Sequence, residues 1–155
     1  MIAPPSARHC VARSFHVTLD FVKVQANTHL VVVVDDDESM RGALHGALNS
    51  IGLEARSFGS AEEYLDSGLQ SETACLITDF HMPGMNGLEL QAKLAEHDRR
   101  IPIIFTTAYG EPTMRALAMK AGAIEFFDKP FDDNVLLETV RVALTLNGAA
   151  PRDAG

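Results

Sequence analysis

"VVVVDDDESM", residues 31 to 40, sets four branched apolar residues against four consecutive acids, Asp35, Asp36, Asp37 and Glu38. A short apolar run without alternation suits a strand buried on both faces, as in a parallel sheet. The acids are harder to explain, because like charges repel. Either they are the solvated exit of the strand and cap the helix that follows, or some of these carboxylates share a cation. The ten residues leave both readings open, and the rest of the chain has to supply the partners.

Outward from this run, strand-like and helix-like segments alternate. A helix follows to about residue 51, with Met40, Leu44, Leu48 and Ile51 on one face and Gly52 closing it. "LEARSF" (53–58) alternates as an edge strand does, and Ser60 with Glu63 forms a capping box that opens a short helix through Tyr64 and Leu65. "ACLIT" (74–78) is a second buried strand ending at Asp79. A turn-rich loop follows it, with Gly84 and Gly87 read as turn glycines. Asn86 and Glu89 open a helix carrying Leu88, Leu90 and Leu94. "IPIIFTT" (101–107), a helix across Met114, Leu117, Ala118 and Ala121, "IEFF" (124–127), and a last helix burying Leu136, Val140 and Ala143 complete the series. Five strand–helix units in strict alternation predict a doubly wound α/β domain, a parallel sheet with helices on both faces. Such sheets bind ligands outside the carboxyl ends of their strands. Those positions are the chemically loaded ones here: Asp35 and Asp36, then Asp79, then Thr107 with Ala108, then Asp128, Lys129 and Pro130.

Composition sets limits on function. The 155 residues, 46% apolar and 22% charged, suit one globular domain. A net charge of −8 excludes non-specific attraction to nucleic acid or anionic lipid. No apolar run approaches the length of a membrane span. The two cysteines, Cys10 and Cys75, give no disulfide framework, and a reducing cytoplasm is the expected compartment. Residues 1–28 are net positive and weakly patterned, without the apolar segment of a signal peptide. They are expected to be a dispensable extension to a domain at 29–146, with 147–155 a frayed tail.

Together, the acid pair after the first strand, "TDFHMPGMNG" after the third, "FTTA" after the fourth and "DKPF" after the fifth resemble the receiver domain of two-component response regulators. The resemblance covers about residues 30–145, and "VDDDES" with "MKAGAIEFFDKPF" is most similar to receivers of the nitrogen-fixation type of transcriptional regulator. It implies a flavodoxin-like (βα)5 fold with strand order 2-1-3-4-5. It also implies phosphorylation of Asp79 by the histidine of a sensor kinase or by a phosphotransfer protein. Asp36 and Asp79 would ligate magnesium directly, with the backbone carbonyl of His81 as a third ligand and Asp35 acting mostly through water. Lys129 would pair with Asp79 at rest and with phosphoryl oxygens afterwards, before a Lys–Pro bond that is usually cis. Thr107 and the N–H of Ala108 would hold phosphoryl oxygens, and Thr107 with Phe126 would form the switch. Output would pass through the surface of the fourth helix, fifth strand and fifth helix, where receivers dimerise or dock a partner. Regulators of the resembling type carry a DNA-binding domain after the receiver. This chain ends before one could fit, so no direct contact with nucleic acid is expected of it.

The residues support the chemistry independently. A carboxylate at a strand end can attack phosphorus to give an acyl phosphate. Crowded carboxylates resist a phosphoryl group unless a hard, oxygen-seeking cation such as magnesium neutralises them. Asp37 and Glu38 suit a solvated helix start, while His81 and Tyr109 are expected at the pocket rim. Two other readings stand beside this one. An aspartate-nucleophile phosphatase usually places a second Asp two residues after the nucleophile, where this chain has His81, and no lid-sized insertion follows. A receiver-like module that binds partners without turning over phosphate is the other. Nucleotide binding lacks its glycine-rich loop. The chain is therefore expected to be no enzyme beyond its own phosphorylation and dephosphorylation.

Overall fold

In the computed structural model of the chain, residues 30–97 and 100–149 are described, with side chains to residue 146. The expected extension, Cys10 and residues 150–155 lie outside the described part. The elements run β1 (Leu30–Val34), α1 (Glu38–Ser50), β2 (Glu54–Phe58), α2 (Ala61–Ser67), a 3-10 turn (Leu69–Glu72) and β3 (Thr73–Asp79). Then come α3 (Gly87–Glu96), β4 (Ile103–Thr107), α4 (Pro112–Lys120), β5 (Glu125–Asp128) and α5 (Asp133–Ala149). The last helix continues past the expected end at 146.

All five strands are parallel and lie in the order β2-β1-β3-β4-β5. The apolar run of β1 shows why it does not alternate. Leu30, Val32 and Val34 join the core under α2, α3 and α4 with Tyr64, Leu90 and Phe105. Val31 and Val33 join the opposite core with Leu44 and Leu48 of α1 and Leu136 and Val140 of α5. Successive strand residues point to opposite faces, so burial on both demands apolar side chains throughout. The register sets Val34 beside Phe58 and Thr78, Asp79 beside Thr106, and Thr107 beside Asp128. The loaded residues are thereby brought to one edge of the sheet.

Helix boundaries follow local chemistry, with three departures from the sequence reading. Asn86 and Glu89 make a complete capping box. At Ser60 only half of one forms: its Oγ accepts from the Glu63 N–H at 3.1 Å, but the Glu63 carboxylate accepts from Gly59, 2.9 Å away. Gly84 is a turn glycine with φ of +76°, whereas Gly87 is required for close approach. A Cβ at 87 would stand 2.7 Å from the carbonyl oxygen of Asp79 and 2.9 Å from the Phe105 ring. Finally, α4 buries only Ala118, while Leu117 and Ala121 face outward.

Candidate functional site

The four acids of the opening run fall into two groups. Asp35 is buried, with one carboxylate oxygen accepting from the Asp37 N–H at 2.9 Å and the other from Lys129 Nζ at 2.9 Å. Asp36 is exposed at the mouth. Asp37 is the N-cap of α1, accepting from the N–H groups of Ser39 and Met40, and Glu38 lies exposed in the first turn. The bland reading thus holds for Asp37 and Glu38, as expected. Asp35, Asp36 and Asp79 each present a carboxylate oxygen within 4.8 Å of the others.

Asp79 ends β3 and is 7% exposed. Burial, and then the Asp35 carboxylate, hold its carboxyl above the ordinary range. Lys129 and the His81 N–H, which donates to Asp79 Oδ1 at 3.4 Å, pull the other way, and Asp36 adds a further upward push. Burial depresses the Lys129 ammonium, but the bond and charge of Asp35, with Asp79, outweigh it and leave it above its ordinary value. The expected pair of Lys129 with Asp79 is present, but it is shared. Nζ lies 3.5 Å from Asp79 but 2.9 Å from Asp35, so the lysine bridges two acids and bonds the deeper one more tightly. Its peptide bond to Pro130 is cis, as expected.

Thr107 is fully buried, and its Oγ1 accepts from the Tyr109 N–H at 3.1 Å. Ala108, between them, is exposed at the same edge, and Thr106 is buried as a packing residue. The His81 and Tyr109 rings meet at 6.2 Å, which makes both rim residues of one mouth. Phe126 is 2% exposed, with its ring 5.6 Å from that of Phe80 and 6.1 Å from that of Phe105.

Sequence reading missed the residues that brace the loops. Arg41 donates to the Asp35 carbonyl at 2.7 Å and steadies the acid loop from α1. Glu62 accepts from the Met85 N–H at 2.9 Å and steadies the loop after Asp79. Arg115 bonds the Phe126 carbonyl at 2.7 Å. Such residues look like ordinary solvated charges on helices, and only the fold shows which backbone group each one reaches.

A doubly wound 2-1-3-4-5 sheet, with an acid cluster and a bridging lysine at its carboxyl edge, belongs to the class of α/β modules that carry their chemistry in strand-end loops. More particularly, residues 31–141 match the response regulator receiver domain, and the chain belongs to that family. It is 45% identical over 131 residues to nodulation protein W of Bradyrhizobium diazoefficiens, covering 84% of this chain and 57% of that protein. It is 39% identical over 114 residues to the transcriptional regulatory protein FixJ of Azorhizobium caulinodans, covering 74% of this chain and 54% of that one. The crystal structure of FixJ-N superposes with a TM-score of 0.68 at 36% identity, covering 76% of this chain and 94% of the other. These bear out the expected receiver fold and its likeness to nitrogen-fixation-type regulators. The chain spans about half the length of the curated relatives it matches.

Proposed function

We propose that this chain is a phosphorylation-activated receiver in which Asp79 takes the phosphoryl group from the phosphohistidine of a sensor kinase or phosphotransfer protein. The observation that carries the reading is the placement of Asp79 at the strand edge, within 3.5 Å of Lys129 and in the cluster with Asp35 and Asp36. A carboxylate oxygen of Asp79 attacks phosphorus. The new P–O bond forms as the P–N bond breaks, and the imidazole leaves with the electron pair and takes up a proton. Lys129 draws charge onto the phosphoryl oxygens, and the Thr107 hydroxyl and Ala108 N–H donate to them.

The donor set fits magnesium. Three carboxylates and one ammonium leave two negative charges, which one hard divalent cation balances through oxygen ligands. Asp36 and Asp79 would hold it directly, with the His81 carbonyl. Asp35 would act mainly through water, consistent with both its oxygens being engaged already. When bound, the ion supplies positive charge against the incoming phosphoryl oxygens.

The switch joins Thr107 and Phe126 to the face of α4, β5 and α5. Leu117 and Met119 on α4, and Val135, Val142 and Leu146 on α5, are 38–51% exposed, which supports docking of a second copy or an output partner there. The relatives named as regulators make transcription the proposed destination, reached through a partner or further domain rather than by contact between residues 29–146 and DNA. Among the described residues no helix is long and apolar enough to cross a membrane, and we place the chain in the cytoplasm. The test is intact mass after acetyl phosphate, with and without magnesium. Wild type should gain one phosphoryl group only with magnesium, and Asp79→Asn none. Equal labelling of the variant would show that the nucleophile is another residue, and an unlabelled wild type would favour a partner-binding module that does not turn over phosphate.

A further inference from the structure

We propose that Arg115 is a positioning residue of the switch, a latch on α4 that holds the Phe126 ring inside the domain. The proposal rests on the switch reading above and adds a residue to it. Among the described residues β5 is an edge strand, paired only with β4, and one side of its backbone has no strand partner there. At Phe126 that side is covered by side chains. The Phe126 N–H donates to Glu125 Oε1 at 3.0 Å, and its carbonyl accepts from Arg115 Nη2 at 2.7 Å. Arg115 Nη1 is paired with the same Glu125 oxygen at 3.4 Å. So tethered, the guanidinium carbon stands 5.3 Å from the centroid of the Phe126 ring.

Each contact has its own physics, and together they need arginine. The carbonyl bond and ion pair use two nitrogens of the planar fork, and the cation faces the negative π cloud. A lysine offers one point charge and could not fill all three roles. The ring is nearly inaccessible while the Arg115 side chain is 46% exposed, so the guanidinium forms the outer cover. It cannot swing aside without giving up the carbonyl and Glu125. Inward, the ring touches Phe80, the residue after Asp79, whose N–H donates to the Thr106 carbonyl at 2.8 Å. Arg115, Phe126 and Phe80 therefore form a packed line from α4 to the strand ends that hold Asp79 and Thr107. With the ring already held inside, the phosphoryl group would favour the same inward ring rather than turn it. The latch sets the resting balance of the switch.

Fluorine-19 NMR of fluorophenylalanine-labelled protein tests this, with the Phe126 signal assigned by Phe126→Leu. Because Arg115 is half exposed, Arg115→Ala should fold. In wild type the Phe126 signal should be single and barely move on adding magnesium with beryllofluoride. In Arg115→Ala it should shift or broaden at rest and return toward the wild-type position with beryllofluoride. The apparent affinity for beryllofluoride should weaken about three- to tenfold as the inward population falls. Arg115→Lys, which keeps the charge but loses the fork, should lie between the two. A Phe126 signal in Arg115→Ala identical to wild type overturns the latch. Acetyl phosphate uptake on the same samples separates the two proposals. Normal uptake with an unmoved ring signal removes only the latch. Absent uptake in wild type removes the phosphoacceptor reading, while the resting ring signal still decides the latch.

Discussion

Replacing Lys129 with methionine keeps much of the side-chain volume and removes the cation that bridges Asp35 and Asp79 at 2.9 and 3.5 Å. Asp35 is 1% exposed, so the variant leaves a buried carboxylate held, among the described residues, only by the Asp37 N–H. Breaking a buried pair by removing one partner costs about 3–5 kcal/mol. Protonation sets a ceiling on that cost. Neutralising one carboxylate of ordinary pKa, about 3.9, requires about 4 kcal/mol at pH 7, and the chain takes this escape rather than pay more. The expected loss is therefore about 3–4 kcal/mol at pH 7, lowering the melting temperature by about 10 °C or more.

The ceiling falls with pH, to about 1.5 kcal/mol at pH 5. An acid whose folded pKa is raised destabilises only when ionised, so the cost is absent below the unfolded pKa and grows as pH rises toward the folded one. Asp79 already lies on the raised side in the wild type, and loss of Lys129 removes one of the influences holding it down. Thermal melts of both proteins at pH 5 and pH 7, with and without magnesium, make the check. The deficit should shrink by about half or more at pH 5, and magnesium at pH 7 should stabilise the variant more than the wild type. A variant within about 0.5 kcal/mol of wild type in metal-free buffer at pH 7, or a deficit unchanged at pH 5, would refute the shared-charge reasoning.

Gln91, 6% exposed, gives its amide nitrogen a long 3.5 Å bond to the Ala118 carbonyl, while its Oε1 has no partner among the described residues. Since the Ala118 carbonyl keeps the Ala123 N–H at 3.0 Å, Gln91→Leu should stabilise the domain by about 1 kcal/mol, seen as a higher urea midpoint at unchanged slope; a lower midpoint would refute it. Burial pushes the Cys75 thiol up to about 12, so native protein at pH 8 should expose at most one of its two thiols to a disulfide reagent and release both on unfolding. Rapid reaction of both in the native state would contradict that burial.

The sequence was most legible where one physical constraint dominates. Burial on both faces wrote β1 as an unbroken apolar run, and the Asn86–Glu89 box marks its helix because both reciprocal bonds form. It was less legible where a neighbour decides. Leu117 continues the apolar pattern of α4 yet is 49% exposed, because that short helix meets the core through Ala118 and the half-buried Met114. Gly87 sits in a turn-rich stretch, but its constraint is the carbonyl of Asp79 beside it in space. The site followed the same division. The topological rule that loads the carboxyl ends of parallel strands located Asp35, Asp36, Asp79, Thr107 and Lys129, since strand order alone brings them together.

What that rule cannot assign is how charge is shared once they meet. Lys129 is 94 positions from Asp35 in the chain, and its choice between Asp35 and Asp79 depends on depth. The deeper carboxylate has less water to solvate it and gains more from the ammonium, so it takes the 2.9 Å bond. Asp79 is left with the longer contact and a carboxyl held above its ordinary range. An acid so placed retains an oxygen that is not committed to a strong ion pair. That incomplete neutralisation is a cost to the resting fold, and it leaves Asp79 the carboxylate of the cluster with most to gain from an incoming cation or phosphoryl group.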